Sequence, residues 1–145
     1  MGGRGSGNFY RWDKKTTVEE CLGLDIAAMT RDGLLGWDRH EVNSLIWRKV
    51  ATGERVARIG YELNTLDRAH PWLRVFYTTT FRSKGEKIDS DYRISLQTTR
   101  PHFGGHRWWL TCPLVVREQP CQRRARKLYM PPGALYFGCR QCYDL

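Results

Sequence analysis

The chain has 145 residues, of which 41% are hydrophobic, 12% aromatic and 27% charged. This composition excludes a chain that is disordered throughout, and the length suits one compact domain or a domain with a small appendage. Lysine and arginine outnumber aspartate and glutamate by 24 to 15, and the resulting formal charge of +9 favours polyanionic partners.

The first element in chain order is a glycine-rich arm, which we place at residues 1–15. Glycines crowd its first half and exclude a stable helix or strand there. Arg4 lies among these glycines, and an arginine on a flexible segment can follow a phosphate backbone once a partner binds. Arg4 is therefore a candidate nucleic-acid-binding residue, with a solvated tail as the alternative.

Two short helices are predicted after the arm. Thr17 and Glu20 have the spacing of a capping box, which indicates a helix that continues through Leu22. Asp25 can cap a second helix over Ile26 to Arg31. The second helix is short and largely apolar, so we expect the pair to pack against a sheet rather than to enter a DNA groove.

Alternating apolar residues then predict an antiparallel sheet of about five strands. The polar loop of the second predicted hairpin contains Lys84 to Lys87, and Asp89 to Asp91 fall in the same loop. The five predicted strands are Leu45 to Val50, Arg55 to Leu63, Trp72 to Phe81, Tyr92 to Thr99 and Arg107 to Thr111.

Four of the five cysteines lie in the last 34 residues with the spacing C-x8-C-x17-C-x2-C. A C-x2-C pair lets two thiolates from one tight turn reach the same ion, and the 17 residues before it are enough for a hairpin. The eight residues inside the first pair exceed the usual two to four, but a loop of this length closes at little extra entropic cost. The predicted ligands of a structural Zn²⁺ are Cys112, Cys121, Cys139 and Cys142, with His102 or His106 as a competing ligand in place of Cys112 or Cys121.

The predicted helices, the sheet and the metal site together predict an α+β fold. In it, short N-terminal helices pack on the antiparallel sheet, and a C-terminal zinc ribbon follows. The predicted organisation is an arm at 1–15, an α+β domain at 16–110 and a ribbon at 111–145.

Basic residues surround the predicted ribbon. They can neutralise the thiolates locally, but they exceed what one site needs, so we favour a phosphate-contacting patch. Trp108 and Trp109 are adjacent on a strand and point to opposite faces, so one belongs to the core and the other can stack on an unpaired base. The candidate nucleic-acid-binding residues, besides Arg4 and these two tryptophans, are Arg123, Arg124, Arg126, Lys127 and Arg140.

Three segments resemble an uncharacterised family of small bacterial and phage-borne proteins. They are the start GGRGSG at residues 2–7, the HFGG segment at 102–105 with RWW at 107–109, and the ending GCRQCYDL at 138–145. The resemblance implies a zinc-ribbon-like ending and a phage or mobile-element setting, and it carries no assigned activity. The family's first knuckle is a compact Cys-Pro-x-Cys-Gly, whereas here an insertion separates Cys112 from Cys121.

The predicted function is non-catalytic binding of DNA or RNA by a zinc-ribbon protein, as in a phage or mobile-element regulatory factor. One alternative is an adaptor or inhibitor that binds a host enzyme. Another is a metal-dependent nuclease in which His102 or His106 activates water and Asp89 or Asp91 holds a magnesium ion. The chain has no apolar run long enough to cross a bilayer and no secretory signal, so we expect a cytoplasmic protein without a membrane partner.

Overall fold

A computed structural model describes residues 16–49, 51–81, 85–102 and 104–145. The structure is mostly antiparallel sheet, with 50% of residues in strands and 7% in helices. A 3-10 turn (Val18–Glu20) precedes the first strand, and one α-helix, α1 (Ile26–Arg31), follows it. The strands are β1 (Leu22–Asp25), β2 (His40–Arg48), β3 (Arg55–Asn64), β4 (Trp72–Phe81), β5 (Glu86–Thr99), β6 (Arg107–Thr111), β7 (Val115–Val116), β8 (Gln119–Pro120), β9 (Arg124–Ala125) and β10 (Lys127–Met130).

The main sheet has six strands in the order β2-β3-β4-β5-β6-β9 and curls into a half-barrel. Each strand pairs antiparallel with its neighbours, and side chains alternate between a buried inner face and a solvent-facing outer face. Gly60 lies opposite Phe76 on the outer face, and a Cβ on residue 60 would overlap the Phe76 ring. The absence of a side chain at Gly60 therefore gives that ring the space it occupies. The inner face supplies most of the core, including Ile59, Leu63 and Ile94.

The C-terminal segment closes the concave side of this sheet. β10 pairs with β1 in a separate two-stranded sheet, and Tyr129 bridges to Gly138. The fully buried Phe137 donates its backbone N–H to the Tyr92 hydroxyl at 2.9 Å. Residues before β2 and after β9 therefore share one hydrophobic core with the main sheet.

The prediction of an α+β fold is wrong. Within the described residues, one six-residue helix and one 3-10 turn form no helical layer on the sheet. The predicted helix through Leu22 does begin with a capping box between Thr17 and Glu20, but Cys21 is extended and Leu22 pairs with Met130. Pairing with a distant strand thus outweighs a local helix signal.

The prediction of a helix capped by Asp25 is confirmed, because α1 spans Ile26–Arg31 and Asp25 accepts a hydrogen bond from the N–H of Ala27 at 2.9 Å.

The strands of the main sheet are longer than predicted at two places. β2 begins at His40 rather than Leu45, and β5 begins at Glu86 rather than Tyr92. The assignment of Asp89 and Asp91 to a loop is also wrong, since both lie on the outer face of β5. Cross-strand polar bonds support this extension, because Thr78 donates to Asp89 and Arg74 to Asp91.

The predicted arm at 1–15, with Arg4, lies outside the described residues. None of the helices within the described ranges has the length and apolar character needed to span a bilayer.

Candidate metal centre and aromatic–arginine face

The side chains of four cysteines meet at the end of the sheet. Cys112 directly follows β6, Cys121 follows β8, and Cys139 and Cys142 lie in the turn after Gly138. Their four sulfur atoms all lie within 4.8 Å of one another. The Sγ atoms of Cys121 and Cys139 are 3.7 Å apart, and those of Cys112 and Cys142 are 4.0 Å apart.

These separations fit a tetrahedral metal ion. Four sulfurs about 2.3 Å from one zinc ion lie about 3.8 Å from each other, whereas a disulfide bond is about 2.05 Å long. All four cysteines are free thiols, and their donor set is sulfur alone, which suits zinc better than magnesium or calcium. The residues thus form a candidate metal centre whose geometry is compatible with zinc.

The unusual eight-residue spacing is accommodated by a small hairpin. β7 and β8 pair between the first two cysteines, and the two turn residues, Arg117 and Glu118, have φ angles of 51° and 66°. Consecutive positive φ angles are typical of tight hairpin turns. Cys121 returns beside Cys112 because its N–H donates to Leu114 O at 2.9 Å. The insertion therefore closes on itself and leaves both thiols at the site.

The C-x2-C turn is held from two sides. The N–H of Cys139 donates to the Cys112 sulfur at 3.2 Å, and the N–H of Tyr143 donates to Cys139 O at 3.3 Å. Gly138 is buried, and a Cβ there would collide with the side chain of Leu114 and with Tyr143, whose ring would lie 2.8 Å away. The glycine thus allows the turn to approach the hairpin closely enough for the sulfurs to meet.

The thiols shift each other's proton affinity. Burial raises the pKa of Cys112 to about 11, and burial together with hydrogen bonds from Cys121 and Cys139 raises the pKa of Cys142. Burial also acts to raise the pKa of Cys121, but the backbone N–H of Arg123 and the neighbouring thiols outweigh it and leave that pKa lowered. Four thiolates at these separations repel one another, so full ionisation requires a cation at the centre.

The histidines and carboxylates named in the nuclease hypothesis do not form a second centre. Across the described ranges, the cysteines are the one group of three or more His, Cys, Asp or Glu side chains close enough to hold a metal ion. Asp91 is engaged by Arg74, and His106 contacts the edge of Trp37 with ring centroids 5.8 Å apart.

A second feature lies on the outer face of the main sheet, where aromatic rings alternate with arginines. The Arg93 guanidinium carbon is 4.1 Å from the centroid of the Trp72 ring, and the Arg124 guanidinium carbon is 4.6 Å from that of Trp109. The Arg74 guanidinium carbon is 4.7 Å from the centroid of the Phe76 ring. We call this surface the aromatic–arginine face, and it consists of Trp72, Arg74, Phe76, Arg93, Trp109 and Arg124.

The residues named from the sequence lie in different places. Trp108 is 7% exposed and belongs to the core, whereas Trp109 lies on the outer face opposite Gln97. Arg124 joins the aromatic–arginine face, while Lys127 lies over Tyr129 and Arg140 donates to Leu145 O. The other two predicted arginines, Arg123 and Arg126, are exposed, but no contact places them on this face.

Trp72 and Phe76 were not named as stacking residues from the sequence. The signal for them is the alternation within β4, where Leu73 and Val75 are fully buried and the residues between them point outward. An outward tryptophan and phenylalanine separated by an outward arginine form a half-buried aromatic ladder on the outer face. The assignment of β4 as a strand already contained this information.

No family model, curated protein or solved structure matches this chain. The fold and the two features describe a small antiparallel-sheet protein with a four-cysteine candidate metal centre.

Proposed function

We propose that this protein binds single-stranded nucleic acid, without catalysis, on the aromatic–arginine face. The observation that carries the proposal is the set of three aromatic rings on one sheet face, each with an arginine over it. Bases stack on exposed aromatic rings, and each such contact contributes about 1 to 3 kcal/mol. The adjacent guanidiniums supply both charge for the phosphates and a flat cationic surface for the bases.

A single strand fits this surface better than a duplex. Stacking on a ring requires an unpaired base, and duplex readout in the major groove requires an inserted helix or ribbon. The one α-helix in the described residues has six residues, of which Ile26 and Met29 face the core. The sheet face offers rings from two non-adjacent strands, β4 and β6, so a strand can cross it with successive bases stacked.

The charges on this face are not equivalent. Arg74 is paired with Glu62 and Asp91, at 3.1 and 2.7 Å, so part of its charge is already neutralised. The contacts of Arg93 and Arg124 within the described residues are with aromatic rings. These two arginines therefore have more charge available for a phosphate, which also agrees with the basic balance of the whole chain.

In this proposal a Zn²⁺ ion at Cys112, Cys121, Cys139 and Cys142 has a structural role. A site with four protein ligands has no open position for substrate, and the ion neutralises the thiolates and cross-links the segments that carry them. β9 contains only Arg124–Ala125 and pairs with Leu110 and Thr111 over two residues. The cross-link would hold this short strand, and hence Arg124, against Trp109.

The proposal is tested by fluorescence anisotropy with labelled single-stranded DNA and RNA of the same sequence. Trp72→Ala and Trp109→Ala should each raise Kd by roughly 5- to 150-fold, which corresponds to about 1 to 3 kcal/mol. Arg93→Gln should weaken binding and reduce its salt dependence. The matched control is Arg55→Gln, which removes the same charge at an exposed position away from the face.

Unchanged affinity in both tryptophan variants would exclude the aromatic–arginine face. Comparison of the DNA and RNA titrations also shows which polymer the face prefers. Duplexes of the same sequence should bind more weakly, because their bases are not available for stacking.

A protein-binding role has one specific feature in its favour. A groove of about 380 Å³ beside the metal centre is lined mainly by apolar and aromatic residues, including Leu114 and Tyr136, and Val115 at its edge is 64% exposed. Trp37 and Trp47 do not add to an apolar docking surface for a protein partner, because both pack against the core. Arg93 of the aromatic–arginine face also lines this groove. The uncharged variant Val115→Ser with Tyr136→Ser should therefore leave nucleic-acid binding intact if the groove serves a separate partner.

A further inference from the structure

A cleft with three arginines lies between α1 and the start of β6. It has a volume of about 410 Å³, and its walls include Ile26, Pro101 and Trp108. The cationic lining residues are Arg31, Arg107 and Arg126, with His106 beside them. We call it the three-arginine cleft.

The three arginines come from three separate segments that the fold brings together. Arg31 ends α1, Arg107 begins β6, and Arg126 lies between β9 and β10. The backbone fixes this arrangement, because the N–H of Ile26 donates to Arg126 O at 2.9 Å. The cleft is therefore assembled by long-range contacts of the main chain and does not depend on the arginine side chains themselves.

No carboxylate lines this cleft within the described residues. Of the two acidic residues that flank α1, Asp32 lies outside the lining, and Asp25 is occupied as the helix cap. The ion pairs found in the described part of the chain include none of the three arginines. Three guanidiniums around one concavity repel one another, and an anion with several oxygens would relieve that repulsion.

We propose that the three-arginine cleft binds a phosphate monoester at the end of a nucleic-acid strand. This inference rests on the proposed function, because the strand is the one bound by the aromatic–arginine face. A terminal phosphate carries a charge of about −1.5 to −2 at pH 7, against about −1 for an internal diester. The higher charge and the three free oxygens match three guanidiniums better than a diester does.

The position of the cleft agrees with this assignment. Arg107 is two residues from Trp109 on β6, and Arg126 is two residues from Arg124. Arg107 and Trp109 lie on the same face of β6, and two residues of a strand span about 6.6 Å, so a nucleotide stacked on Trp109 has its neighbouring phosphate within reach of Arg107.

The test uses the full chain and single-stranded oligonucleotides of identical sequence that end in hydroxyls, a 5′-phosphate or a 3′-phosphate. One phosphorylated form should bind about tenfold more tightly than the hydroxyl form, as expected for added charge-assisted hydrogen bonds. Arg31→Gln, Arg107→Gln and Arg126→Gln should each remove most of this advantage, and Arg31→Gln should change hydroxyl-end binding by less than about threefold. Arg55→Gln should keep the advantage, and circular dichroism with thermal unfolding checks that each variant is folded.

The outcomes separate the two proposals. Equal affinity for all three ends overturns the cleft proposal, and loss of binding in Trp109→Ala then still supports the sheet face. Titration with 5′-AMP and with inorganic phosphate distinguishes a strand end from a free phosphate ligand. If 5′-AMP binds and Arg126→Gln abolishes that binding while no oligonucleotide binds, the cleft recognises a phosphate monoester but the proposed function is wrong.

Discussion

The backbone N–H of Cys139 donates a hydrogen bond to the sulfur of Cys112 at 3.2 Å, across 27 positions of the chain. An N–H directed at a sulfur favours the thiolate over the thiol, because the negative form is the better acceptor. The same two residues are the buried half of the four-cysteine cluster. This hydrogen bond opposes the larger effect of burial, which raises the pKa of Cys112 to about 11, so deprotonation on the buried side of the candidate centre requires a cation.

Removal of Cys112 should abolish stable metal binding. We expect the purified chain to contain one zinc ion per molecule by elemental analysis, and Cys112→Ser to contain little. Because metal binding contributes to folding free energy, the variant and the chelator-treated protein should both show a lower melting temperature. Cys21→Ser is the matched control, since Cys21 lies outside the cluster and should leave zinc content unchanged. Equal zinc content in Cys112→Ser would contradict the assignment.

Gly138→Ala should destabilise the same centre without removing a ligand. The added methyl would meet Leu114 and the ring of Tyr143 in a buried turn, and such overpacking costs about 1 to 3 kcal/mol. The measurement is chemical unfolding together with competition for zinc by a chelator. Gly36→Ala is the control, because its Cβ would meet only the flexible end of the Arg39 side chain. Equal stability of the two variants would show that the turn has room to relax.

The four cysteines cluster as predicted and the first predicted helix does not form, and the two outcomes have related causes. The C-x2-C spacing of Cys139 and Cys142 indicates a local turn. The site is then complete once the chain brings the sulfurs of Cys112 and Cys121 close to that turn. The capping box at Thr17 is also local and does form, yet the residues after it pair with β10, which lies more than 100 positions away. The local capping signal thus correctly predicted the helical turn at Val18–Glu20. Long-range pairing with β10 determined that the following residues form a strand rather than a longer helix.

The outer face was only partly predictable for a similar reason. Alternation placed Trp108 and Trp109 on opposite faces, but it could not show that β9 would join β6 and set Arg124 over Trp109. β9 has two residues, which is too short for any periodic signal. The three-arginine cleft depends on the same long-range assembly, so its arginines show no common pattern in the sequence.

Acid should weaken the sheet through the ion pair between Arg74 and Asp91. The hydrogen bonds from Arg74 lower the pKa of Asp91, and a hydrogen bond from His40 is the largest cause of the lowered pKa of Glu62. A carboxyl whose pKa is lower in the folded state stabilises that state above its unfolded pKa, near about 4, and loses this contribution as the pH falls through the folded value. Thermal unfolding between about pH 7 and pH 2 should therefore show a smaller acid-induced drop in Asp91→Asn than in the unmodified chain. An identical drop would mean that the pair contributes nothing measurable.

The basic residues named from the sequence differ in their surroundings: Arg124 lies over the Trp109 ring, whereas Arg140 donates to Leu145 O. Simultaneous Arg123→Glu, Arg124→Glu and Arg126→Glu substitutions should abolish retention on single-stranded DNA or RNA at moderate salt, because a patch that attracts phosphates becomes one that repels them. As single changes, Arg124→Glu should have the larger effect, since it also removes the guanidinium over Trp109. Arg140→Glu should have the smaller effect, because the Arg140 side chain donates to Leu145 O in the turn beside the cysteines. The measurement is the slope of log Kd against log salt, which should fall by about 0.7 for each phosphate that the variant no longer binds. Equal effects of Arg124→Glu and Arg140→Glu would indicate general charge attraction rather than a defined face.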